Sequence, residues 1–150
     1  MGRLAARCAL IAVFGSALGL LTNQVRGALP IGQNAFLEKG DVQIDVKEAK
    51  SRLDHGALFL DARPRAFYEM SHIPGARALP EDDFDAAFAP LEGLLRSRYD
   101  IVVYCAGFGC EASLDVARKL KAKGIPAVVL ADGWPAWDEA GYPQKKGTEP

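Results

Sequence analysis

The sequence predicts an α/β domain, a parallel sheet flanked by helices on both faces and preceded by one N-terminal apolar helix. Three short apolar runs, Ala57–Leu60 (ALFL), Ile101–Tyr104 (IVVY) and Ala127–Leu130 (AVVL), read as strands buried on both faces. Stretches of helical spacing separate them, and strands alternating with helices assemble into a parallel sheet covered by those helices. Length and composition agree. A chain of 150 residues with 49% hydrophobic and 25% charged side chains makes one domain of ordinary size.

The chain opens on a leader, residues 1–27, that carries Arg3, Arg7 and Arg26 and no acid. Cys8–Leu21 (CALIAVFGSALGLL) is interrupted only by Ser16 and two glycines. Positive charge followed by an apolar run is the layout of a signal sequence. A spanning helix needs roughly 17–25 apolar residues, and residues 4–22 approach that length. The expectation is a membrane anchor or signal sequence, with cleavage at Val25-Arg26-Gly27 as the alternative. The arginines keep the N-terminus in the cytoplasm and place the domain outside it, on the periplasmic side. Cleavage would release a secreted or periplasmic soluble form. Residues 28–40 hold Pro30 and two glycines and read as a linker.

The domain is expected over 41–143. Val42–Ile44 is a short strand and Val46–Leu53 a helix that stops at Gly56. Ala57–Leu60 follows, ending in Asp61, and Pro64 suits the first turn of a helix through Ala66-Phe67-Tyr68. Ala76–Leu79 is another short strand. Glu81–Ser97 is helical, with Pro90 marking a kink or break. After Ile101–Tyr104, helix Glu111–Lys123 aligns Ala112, Val116 and Leu120 on one face and is capped by Gly124. Ala127–Leu130 and a short helix Trp134–Ala140 complete it. Residues 144–150 read as a flexible tail.

Ligands on such sheets sit at the carboxyl ends of the strands, so function is expected just after Leu60, Tyr104 and Leu130. Directly after Tyr104 stands Cys105, opening the loop Cys105-Ala106-Gly107-Phe108-Gly109-Cys110 ahead of a helix. Glycines let the loop turn its backbone N–H groups inward as an anion nest, and the helix start adds positive partial charge. A thiol there has a lowered pKa and becomes a thiolate nucleophile. The alternative is a buried structural cysteine.

The motif Asp61-Ala62-Arg63 followed by Phe67-Tyr68-Glu69-Met70-Ser71-His72-Ile73-Pro74-Gly75-Ala76 resembles the first signature of single-domain rhodaneses, the rhodanese-like sulfurtransferases. Val103-Tyr104-Cys105 resembles their active-site strand. Asp132-Gly133-Trp134-Pro135-Ala136-Trp137 resembles their closing segment, with Asp132 in place of the first glycine. The resemblance implies a rhodanese-like fold and sulfur transfer without a cofactor. Cys105 would take sulfur from a small donor or a protein persulfide, hold it as a persulfide and pass it to a thiol acceptor. Asp61, Arg63 and His72 would support the loops, Trp134 and Trp137 would serve as core and pocket wall, and Phe108 would line the donor pocket.

The active loop departs from that pattern. Active family members close a six-residue loop with Arg or Lys, where this chain has Cys110, and Glu111 follows. Phosphatases of this fold need Cys-x5-Arg, so phosphatase and arsenate reductase chemistry lose their cationic clamp. Thiosulfate is a poor prospect as donor for the same reason. Cys110 is either a redox partner of Cys105, forming a disulfide with it, or a small residue tucked into the helix start. A thiol–disulfide element and a non-catalytic interaction module are therefore the competing functions. Glu111 has an ordinary explanation as an acid in a first helical turn. Cys105, Cys110, His55 and His72 match no common zinc spacing, so no metal is expected. Without the leader the charge is 15 basic against 19 acidic side chains, a net of −4, which excludes a dedicated nucleic-acid binder.

Overall fold

A computed structural model describes residues 37–107 and 110–150. The residues expected to form a leader with an apolar helix, and most of those expected to form a linker, lie outside the described residues, as do Phe108 and Gly109. Among the described residues no helix is long and apolar enough to cross a membrane. The elements are β1 (Gln43–Ile44), α1 (Val46–Asp54), β2 (Leu58–Asp61), α2 (Arg65–Met70), β3 (Arg77–Ala78), α3 (Phe84–Arg96), β4 (Ile101–Tyr104), α4 (Ala112–Ala122), β5 (Val128–Leu130) and α5 (Gly133–Glu139). All strand pairs are parallel, in the order β1-β5-β4-β2-β3.

Local chemistry sets the helix bounds. The Asp45 carboxylate accepts the Glu48 N–H at 2.8 Å and caps α1. At the other end of α4, Gly124 takes φ +77° and its N–H reaches the Lys121 carbonyl. The Ile125 N–H then bonds the Leu120 carbonyl, closing a Schellman turn over two buried aliphatic side chains. α3 starts at Phe84, three residues later than expected, because Glu81 is tied elsewhere. Its N–H reaches the Ala62 carbonyl, and its side chain holds the Lys119 ammonium at 2.6 Å. Of the kink or break expected at Pro90, the break does not occur: α3 runs on through it. Burial of Phe84, Ala87, Phe88 and Leu95 along one face offsets the single backbone bond that Pro90 removes.

The sheet divides the interior in two. On one face Leu58, Leu60, Val103 and Cys105 pack with Leu95, Val116 and Leu120. On the other, Phe59, Val102 and Tyr104 pack with Tyr68, Leu130 and Trp137. Successive residues of a strand point to opposite faces, so Cys105 belongs to the face covered by α3 and α4, and Tyr104 to the opposite one.

The residues expected to form a tail make backbone hydrogen bonds to the domain. Lys145 and His72 exchange backbone hydrogen bonds of 2.8 and 2.9 Å, and the Gly147 N–H reaches the Glu69 carbonyl at 2.8 Å. The polar tail lacks apolar residues to announce this docking; backbone groups of the α2 end supply it.

Candidate active site

β4 is a middle strand, paired with β2 in the register Leu60↔Val103 and Asp61↔Tyr104. That register brings the Asp61-Ala62-Arg63 segment and Cys105 to the same edge of the sheet, the carboxyl edge.

Asp61 is fully buried and Arg63 nearly so. The Asp61 carboxylate accepts the Arg63 backbone N–H at 3.0 Å and the guanidinium Nε and Nη2 at 2.9 and 2.6 Å. The guanidinium also donates to the Ser71 carbonyl at 2.7 Å and lies 4.5 Å from the centre of the Trp134 ring. Arg63 is thus spent on structure: it ties the end of β2 to the end of α2 and to the first turn of α5. Burial pushes the Tyr104 hydroxyl far above its ordinary value, and the neighbouring Asp61 carboxylate adds to the rise. Tyr104 is therefore neutral at physiological pH and accepts the Ile73 N–H at 3.3 Å.

His72 is fully buried, its ring stacked on Tyr68 with centroids 3.9 Å apart. Its two ring nitrogens face the carbonyl oxygens of Tyr68 at 2.8 Å and Glu149 at 3.0 Å. It holds the tail against α2, a role with no signal in the tail's own sequence. Trp137 is fully buried and donates its indole N–H to the Pro143 carbonyl at 2.9 Å.

Cys105 is 3% exposed. Ala106 is exposed, Gly107 and Cys110 are half-buried, and Glu111 stands exposed just before α4. Phe108 and Gly109 lie outside the described residues. The Cys110 N–H donates to the Gly107 carbonyl at 3.0 Å, which turns the chain back towards β4. Cys105 and Cys110 are joined by a disulfide, with Cα atoms 6.3 Å apart. Among the described residues no group of His, Cys, Asp and Glu is arranged to hold a metal ion.

The segment after β5 closes on this loop. The Trp134 N–H donates to the Cys105 carbonyl at 2.8 Å. Gly133 takes φ +59°, and a Cβ there would collide with the Cys105 carbonyl oxygen and come within 2.8 Å of the Gly107 nitrogen. Only glycine fits, on both conformation and space. Gly133 belongs to the closing motif of the sequence and also touches the cysteine's own peptide, a contact the motif does not announce. The signal available was a glycine three residues past the end of a buried strand.

A family model described as a rhodanese-like domain matches residues 45–140. An HTH-type transcriptional regulator of Mycobacterium tuberculosis is 35% identical over 101 residues, which cover 67% of this chain and 43% of that protein. The thiosulfate sulfurtransferase YnjE of Escherichia coli is 31% identical over 94 residues, 55% of this chain and 22% of its own length. The chain thus spans less than half the length of these curated relatives. Among solved structures, the rhodanese-like domain of an Anabaena protein aligns with a TM-score of 0.59 at 32% identity, covering 72% of this chain and 81% of that one. A thiosulfate sulfurtransferase from Pseudomonas aeruginosa aligns with a TM-score of 0.62 at 25% identity, covering 78% of this chain and 22% of that one.

Proposed function

Because the chain belongs to the rhodanese-like domain family, we propose that it is a sulfurtransferase that carries sulfane sulfur as a persulfide on Cys105. The observation that carries this reading is the placement of Cys105. It directly follows the middle strand β4 ahead of α4, and the Gly133–Trp134 segment grips its carbonyl. In the reduced protein Cys105 acts as its thiolate, the nucleophilic form of the side chain. The thiolate attacks the outer sulfur of a donor; the donor's S–S bond breaks and the leaving group departs with the electron pair. An acceptor thiolate then attacks the terminal sulfur of the persulfide and Cys105 leaves as thiolate. Asp61, Arg63 and His72 are positioning residues, since their polar atoms are engaged with one another or with backbone.

A protein persulfide or a neutral donor suits this loop better than a small dianion. The position where a cation would greet thiosulfate is taken by Cys110, and exposed Glu111 follows it. The test is hydropersulfide labelling of the reduced protein after exposure to a donor. Cys110→Ser, which keeps any sulfur it takes, gains one sulfur on Cys105, and Cys105→Ser gains none. Equal labelling of both would overturn the assignment. The disulfide between Cys105 and Cys110 favours a second reading, a thiol–disulfide element that exchanges electrons with partner thiols without carrying sulfur.

A further inference from the structure

Resting on the persulfide reading, we propose that Cys110 resolves the Cys105 persulfide within the same chain, so that sulfur leaves as hydrosulfide and the domain is left as its disulfide. Three observations lead there. The two sulfurs are bonded, so Cys110 reaches Cys105 without rearrangement of the strand that carries it. The Cys110 N–H is fixed to the Gly107 carbonyl, which aims the second thiol back at the first. Cys105 is 3% exposed whereas Cys110 is half-buried, so a thiol from solution meets Cys110 first.

The step balances within the loop. The Cys110 thiolate attacks the inner sulfur of the protonated persulfide, the Sγ of Cys105. The Cys105–Cys110 S–S bond forms as the bond from Cys105 Sγ to the terminal sulfur breaks. The terminal sulfur leaves with that electron pair as HS⁻, keeping its proton. It gains two electrons, and the two cysteine sulfurs give them up as they become a disulfide, so no external oxidant enters. Well-aligned intramolecular partners act at effective concentrations that reach on the order of 10⁵ M, so Cys110 resolves the persulfide whenever no acceptor thiol is bound beside it. Return to the reduced state needs a dithiol. Its first thiolate attacks the more accessible Cys110 Sγ and releases Cys105 as thiolate. Its second thiolate then frees Cys110, and the dithiol leaves as a cyclic disulfide.

The experiment uses the full chain, fully reduced, loaded with inorganic tetrasulfide and passed at once through a desalting column. Intact mass and released hydrosulfide are then followed in time. The expected wild-type course is a transient gain of one sulfur, then loss of that sulfur and of two hydrogens, with one hydrosulfide released per chain. Cys110→Ser stops at the sulfur-loaded mass and releases none, and Cys105→Ser is never loaded. A wild type that keeps its sulfur as long as Cys110→Ser does overturns the resolving role and leaves the persulfide reading standing. A Cys110→Ser protein that never loads, although its circular dichroism matches the folded wild type, overturns the persulfide reading and this inference with it.

Discussion

Two positions beside Cys105 govern its surroundings by opposite means, Glu111 by charge and Gly133 by the lack of a side chain. Replacing Glu111 with Lys reverses a full charge next to the loop. At partly screened separations such a change is worth about 1–2 kcal/mol, so thiosulfate-dependent sulfite release is expected to rise roughly tenfold, read in a sulfite assay under single-turnover conditions. Gly133→Ala meets both penalties at once, a left-handed backbone and a clash with the Cys105 carbonyl. It is expected to lower unfolding stability by about 2–4 kcal/mol, seen as a lower urea midpoint, and to slow persulfide formation. Gly124→Ala is the control. Its φ of +77° carries the conformational penalty, but nothing lies within 4 Å of the added Cβ, so the loss stays near about 1 kcal/mol. If the two variants unfold at the same urea concentration, the contact between Gly133 and the cysteine loop is unimportant.

The elements differ in how plainly the sequence announces them, and the reason is burial. β4 was legible to the residue, because strands on either side and helices above and below leave only apolar choices at Ile101–Tyr104. β1 and β3 are two-residue edge strands with a half-buried pattern, so their ends blur. At Pro90 local propensity allows a break as well as a kink, and tertiary packing of Phe84, Phe88 and Leu95 keeps the helix continuous. Cys105, Asp61 and Arg63 could be placed from strand ends alone. The Cys105–Cys110 pairing could not, since spacing does not determine the path of a loop. The tail was the least legible, as its bonds run from its backbone to that of α2. Deleting residues 145–150 removes the Glu149 carbonyl from His72 and the bridge at Lys145. Calorimetry of that truncated chain is expected to show a loss of about 1–2 kcal/mol, with Cys105 still open to labelling after reduction.

Across the whole molecule, charge links the stretch before β1 to the helix behind the cysteine. Asp41 accepts Arg118 Nη2 at 2.7 Å, and this bond holds the Asp41 carboxyl below its ordinary value of 3.8. The same pairing raises Arg118, whose charge is in any case retained at every pH of interest. A carboxylate depressed by folding contributes stability above its unfolded pKa and loses that contribution as pH falls through its folded one. The difference in melting temperature between the wild type and Asp41→Asn should be constant above about pH 5 and vanish in stronger acid. For a pair near the surface its size should stay under about 1 kcal/mol. A difference that grows on acidification would contradict the pairing.

The strand order also dictates when, during synthesis, the cysteine loop can be closed. β1 pairs only with β5, and the peptide of Cys105 is gripped by residues that follow β5. A nascent chain on the ribosome therefore holds both thiols of the loop before the Gly133–Trp134 clasp has emerged. Those thiols spend the interval without the hydrogen bond from the Trp134 N–H to the Cys105 carbonyl, and the loop is clasped only once the residues after β5 are in place.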